Sequence, residues 1–152
     1  MPTDTMRARP GEAVKQFSVF TPNRVGQLSD IIGIFGSHGV HILALTVLDT
    51  TDSAIMRLIV NDPDRARELL GEHDFSFTES EIVAVELRST LALKGLIAAL
   101  LEAELNIYYL YSFIPHPDGK AMLALSMEDN EMAEQTLRHH QFRVLNQSDI
   151  SR

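Results

Sequence analysis

The chain has 152 residues, 45% of them hydrophobic and 22% charged, with a formal net charge of −8 at pH 7 and no cysteine. Disulfides, zinc-thiolate centres and cysteine nucleophiles are thereby excluded, and the acidic balance argues against a nucleic-acid backbone as partner, which needs clustered Lys and Arg. The length fits one large domain or two small ones, and small zwitterions or cations remain open as ligands.

Residues 1–13 read as a polar lead-in without the apolar core of a signal peptide. The longest apolar run, Leu91 to Leu101, is broken by Lys94 and Gly95 and is too short to span a bilayer. The expected location is cytoplasmic.

Val14–Phe20 reads as a strand and Gly26–His38 as a helix, with Leu28, Ile31, Ile32 and Phe35 at the spacing of one buried face. Between them, Pro22 lacks an N–H for the sheet and ends the strand, Asn23 is suited to cap the helix, and Gly26 lets the backbone approach a ligand. Such a turn aims free N–H groups and the positive end of a helix dipole at one spot, which suits a carboxylate. Gly39 is placed as a helix C-terminal cap, and Val40–Leu48 is rich in the branched residues of a buried strand. Residues 49–53 form a hairpin turn and Ala54–Val60 the returning strand. Asp62 and Pro63 start a second helix with Ala66, Leu69 and Leu70 inward, and Phe75 and Phe77 alternate with polar residues as a half-buried strand.

The series β-α-β-β-α-β then recurs. Ile82–Glu86 is a strand, and Leu93, Leu96, Ile97 and Leu100 repeat the helical spacing. Leu105–Ile107 lies 65 positions after Val40–Ile42, and Asp129, Ala133 and Leu137 lie 67 after Asp62, Ala66 and Leu70. Phe142 lies 67 after Phe75, and the two extra residues fit in a second hairpin, Pro115–Lys120. This self-match predicts an α+β protein of two ferredoxin-like modules, 14–79 and 80–152, separated only by Glu79–Glu81. Each would be an antiparallel four-stranded sheet with both helices on one face. The two are expected to pack as a pseudo-dimer and to leave a sheet edge for a second chain, giving a homodimer.

With these residues in place, the chain resembles the ACT domain family, small ligand-binding regulatory modules of amino-acid metabolism, and most of all free-standing tandem ACT proteins. Asn23-Arg-Val-Gly-Gln-Leu28 is similar to the family's Asn/Asp-x-Pro-Gly-x-Leu motif, with Val25 where proline is usual, and Gly39-Val-His-Ile42 matches its Gly-x-Asn-Ile. The resemblance implies an amino acid held between neighbouring modules by main-chain amides of the first loop, with the polar residue opening the second strand joining from the neighbour. Carried over, it names Asn23, Arg24, Val25, Gly26, Gln27, Leu28 and His41. A second or composite site would use Arg88, Ser89, Thr90, Leu91 and Asn106, although Leu91 replaces the motif glycine. No cofactor is implied, and the regulated partner would be an enzyme or another protein.

Rival chemistry has little to stand on. His38 and His41 flank Gly39 on a helix end and a strand start, and the adjacent His139 and His140 cannot face one way, so no metal motif forms. No nucleophile or phosphate-loop motif is present, so an enzyme is not expected. Tyr109, Tyr111 and Phe113 should share one strand face, with Tyr108 on the other, as packing residues or as a pocket wall. The expected function is an allosteric amino-acid sensor; the alternative is a structural or protein-interaction module with a vestigial pocket.

Overall fold

Alternation along the strands places every second apolar side chain on one face, and the helices supply the complementary stripes. The computed structural model describes residues 12–22, 26–50, 52–115 and 120–151. Its elements are β1 (Val14–Pro22), α1 (Gln27–Ser37), β2 (Ile42–Asp49), β3 (Ser53–Val60), α2 (Pro63–Glu72), β4 (Ser76–Leu87), α3 (Leu91–Glu102), β5 (Ile107–Ser112), β6 (Ala121–Met127), α4 (Asn130–His139), β7 (Val144–Leu145) and α5 (Gln147–Ile150). No helix among the described residues is long and apolar enough to cross a membrane.

The chain divides into two compact units, Lys15–Ser80 and Glu81–Arg152, the second joined by residues 12–14. Strands in the first unit lie in the order β2-β3-β1-β4, and in the second β5-β6-β4-β7. The pairs β1/β3, β2/β3, β5/β6, β4/β6 and β4/β7 are antiparallel. These are two ferredoxin-like β-α-β-β-α-β modules. The expected boundary at Glu79–Glu81 lies within a strand: β4 runs unbroken for 12 residues and serves as last strand of one unit and first strand of the next. Nothing from 76 to 87 is Gly or Pro, so no residue there interrupts extended backbone.

In the first unit, Phe17 and Val19 of β1 and Met56, Leu58 and Val60 of β3 meet Ile31 and Phe35 of α1 and Ala66, Leu69 and Leu70 of α2. The second unit repeats this with Val83, Val85 and Leu87, Leu123, Leu125 and Met127, then Leu96, Leu100, Ala133 and Leu137. Both helices of each unit therefore cover the same sheet face. Burying each of these large apolar side chains contributes about 1.5–3 kcal/mol.

The caps repeat as well. Asp62 accepts from the Arg65 N–H at 3.1 Å and Asp129 from the Met132 N–H at 3.0 Å, each opening the second helix of its unit. Gly39, at φ 75°, follows the C-cap His38, and the Val40 N–H returns to the Phe35 carbonyl at 2.9 Å, closing a Schellman turn. One shared irregularity is invisible in the sequence. Both β2 and β5 shift register near their starts, between Ile42 and Ala44 and between Ile107 and Tyr109, which are 65 positions apart. Beyond that bulge Tyr109 and Tyr111 stack at 6.3 Å, Phe113 is buried and Tyr108 stands in solvent.

Arg67 of α2 ties that helix to β4 by a two-pronged pair with Glu79, Nη2 reaching Oε1 at 2.8 Å. The Arg67 hydrogen bonds hold the Glu79 carboxyl below its ordinary range, against an opposing push from burial. A pKa lower in the folded than in the unfolded state means stability that is present above about pH 4.3 and is lost as pH falls through the folded value. Arg67→Ala should cost about 1 kcal/mol or less at pH 7, because the pair is partly solvated. Urea midpoints of variant and parent should converge once the pH drops below the carboxylate range.

Candidate functional site

Thr21, Pro22 and Gly26 frame the first loop; Asn23, Arg24 and Val25 lie outside the described residues. Pro22 is the last strand residue, opposite Ser53, where its missing N–H is tolerated. The N-cap of α1 is Gly26, at φ 98° and ψ −16°, with no side-chain cap. Its carbonyl accepts the first helical bond, from the Asp30 N–H at 2.9 Å. The N–H groups of Gln27, Leu28 and Ser29 precede that bond and have no acceptor among the described residues. A Cβ added to Gly26 would meet nothing within 4 Å. The glycine is required by its left-handed backbone and not by crowding, and the approach to it is open. Gln27 and Leu28 are half-buried, Leu28 against the core of the unit.

Thr21 is the residue that sequence reasoning passed over. It is 4% exposed, opposite Ala54 at the end of the β1 face that carries Phe17 and Val19, and its hydroxyl has no hydrogen-bond partner among the described residues. A buried unpaired hydroxyl costs about 1–3 kcal/mol, so its position next to the loop needs a reason.

The second loop is built differently. Thr21 pairs with Ala54 and Leu87 with Ala121, so the strand is offset by 66 residues between the units. The helices are offset by 65, from Ile31 and Phe35 to Leu96 and Leu100. The second loop is thus one residue shorter, and Arg88 stands where Pro22 does. Leu87 replaces Thr21, and the exposed Leu91 replaces Gly26. Thr90, the N-cap, is in the ordinary right-handed region at φ −63°. The N–H groups of Ala92 and Leu93 are already used, by the carbonyls of Ser89 and Thr90 at 3.0 and 3.2 Å.

His41 and Asn106 occupy matching places before β2 and β5. The His41 N–H donates to Asn61 Oδ1 at 2.8 Å, and Asn106 Nδ2 donates to Glu128 Oε1 at 3.1 Å. Within its own unit, however, His41 sits at the far end of the sheet from Gly26. The 11-residue helix α1 between them is about 16 Å long. A site using both draws them from different modules.

Three other histidines have local work. His38, His73 and His140 are each the C-cap of a helix. Each Nδ1 faces the carbonyl four residues back, those of Ile34, Leu69 and Thr136, at 2.8–2.9 Å, and so carries the proton there. No group of three or more metal-ligating side chains occurs among the described residues.

The family model for the ACT domain pair matches residues 12–152. The chain belongs to the ACT domain pair family. A comparison with curated proteins finds no match. Among solved structures, this ACT pair is similar to a protein of Bacteroides thetaiotaomicron, with a TM-score of 0.84 and 23% identity over 92% of this chain and 96% of that one. It is also similar to the ligand-free regulatory subunit of aspartate kinase from Thermus thermophilus, with a TM-score of 0.60 and 16% identity over 85% of this chain and 91% of that one. At these identities the likeness shows the shared fold.

Because φ at Gly26 is one that side chains rarely adopt, Gly26→Ala should destabilise the ACT pair by about 1–3 kcal/mol although space is available. Ala at Gly33, in a helix with open space around it, should instead be neutral or stabilising. Equal effects in a urea denaturation series would contradict the backbone explanation.

Proposed function

We propose that this ACT pair is a regulatory sensor that binds a small free amino acid at its first loop. Gly26 and the helix N–H groups beyond it receive the carboxylate, with Asn23 as polar anchor and His41 of a neighbouring module meeting the ligand's other polar end. The observation that carries this reading is the difference between the loops. The first has a left-handed glycine with open approach and the buried hydroxyl of Thr21, which has no partner among the described residues. The second has Leu87 and Leu91 in the corresponding places and spends its first amides internally. The ACT family, and the regulatory role named for the similar Thermus thermophilus subunit, support assigning a regulatory and not a catalytic task. A ligand that bridges modules shifts their packing by its differential affinity, and this reports amino-acid level to a partner protein. A homodimer in the cytoplasm is the setting we expect.

A thermal-shift screen of the twenty amino acids tests the reading. At a hundred times its dissociation constant a single ligand adds about 2.7 kcal/mol, a rise of roughly 5–10 °C for a chain of this size. Thr21→Val should raise the melting temperature of the free protein, by removing an unpaired hydroxyl, and diminish the ligand-induced rise. Leu91→Gly should leave that rise largely intact. No response to any amino acid at millimolar concentration would leave an interaction module with an unused pocket.

A further inference from the structure

In the second unit, a cleft of about 670 Å³ opens beside the end of β4, lined by Glu86, Arg88, Lys120, Phe142 and Arg143, with His140 on one wall. Glu86 is the only carboxylate among the described lining residues, and it is fully engaged. Its Oε1 accepts from Arg143 Nη1 at 3.1 Å and its Oε2 lies 3.1 Å from Lys120 Nζ. The Glu86 N–H also donates to the Arg143 carbonyl at 3.0 Å, which fixes the two backbones side by side. Arg88 makes no ion pair with any described residue. Asp149, 4.0 Å from Arg143, lies outside the cleft and caps the Asn146 N–H. His140 holds the Thr136 carbonyl through Nδ1 at 2.9 Å, so it serves as a wall.

Among the described lining residues three permanent cations thus face one carboxylate, an excess of two positive charges in a chain whose formal net charge is −8. The fold does not require them. Matching strand registers put Phe20, Pro22, Ser53 and Ser76 at the positions of Glu86, Arg88, Lys120 and Arg143, and the first unit folds the same way without these charges.

We propose that this cleft is a second ligand site, independent of the first loop, which takes a small phosphate monoester. A phosphoryl group carries about −1.5 to −2 at pH 7 and matches the excess, whereas an amino-acid zwitterion would bring an ammonium for which only the engaged Glu86 is available. Arginine forks fit phosphate oxygens with paired N–H donors, and lysine adds a mobile point charge. The cleft volume suits a small metabolite, and the half-buried ring of Phe142 offers its carbon part an apolar wall.

Calorimetry on the full chain at low ionic strength, with glycerol 3-phosphate, inorganic phosphate and succinate as probes, tests this. The expected result is one site per chain for glycerol 3-phosphate, about tenfold or more tighter than succinate. Arg88→Gln and Lys120→Gln should each weaken it about tenfold. Both residues are exposed, and circular dichroism with urea midpoints verifies that the variants fold. Gly26→Ala should leave phosphate binding unchanged, so failure here and failure of the amino-acid reading are separate results. Absence of phosphate-ester binding at about 10 mM, equal binding of succinate, or binding unaffected by Arg88→Gln would overturn the proposal.

Discussion

Each module depends on one packing requirement: the single apolar face of its sheet must be covered by two helices lying side by side. Phe17, Val19, Met56 and Leu58 are sheltered by Ile31, Phe35, Leu69 and Leu70, and the second unit meets the same demand with Val83, Val85, Leu123 and Leu125. Once both helices are committed to one face, the chain reversals are committed too. The β1–α1 turn must lie at one end of the sheet and the start of β2 at the other, a helix length away. That is why His41 and Gly26 are separated within a unit.

The duplication also distinguishes what the fold needs from what it permits. Helix-opening aspartates, C-cap histidines and the bulge at the start of the second strand recur between the units. They satisfy terminal N–H and carbonyl groups or set strand twist, and either unit would suffer without them. The divergent positions gather instead at one end of each sheet. There Gly26 corresponds to Leu91, Thr21 corresponds to Leu87, and a cluster of charges replaces Phe20, Pro22, Ser53 and Ser76. A solvent-facing end carries little of the packing energy, so its chemistry is free to differ between two copies of one scaffold. The excess of positive charge beside Glu86 is local, and the low-dielectric walls of a cleft let it act against the acidic background.

Much of the fold was legible because its signals are local. The spacing of Leu28, Ile31 and Phe35, Asp62 followed by Pro63, and Gly39 past a helix end each act within a turn or two of chain, and the self-match at 65 to 67 positions multiplied them. The strand and helix that flank the first loop were legible for the same reason, since a strand, a proline, a glycine and an apolar helical stripe follow one another directly, although Gly26 and not the expected Asn23 is the N-cap. The boundary read at Glu79–Glu81 coincides with the division between the two units at Ser80 and Glu81, but the strand that runs through it was not legible, because continuity depends on pairing with partners on both sides.

By itself, then, the sequence determined the two β-α-β-β-α-β series, their cores, their caps and the loop that most resembles a ligand site. The tertiary structure decided the continuity of β4, the shorter second loop with Arg88 at the place of Pro22, and the buried unpaired hydroxyl of Thr21. It also brought Glu86, Arg88, Lys120 and Arg143 to one cleft. The contact between Glu86 and Arg143 spans 57 positions, and no periodicity reports it. Local propensity follows from neighbours along the chain, but the meeting of distant side chains depends on which strands pair and in what register. That is settled only when the apolar faces have found their cover.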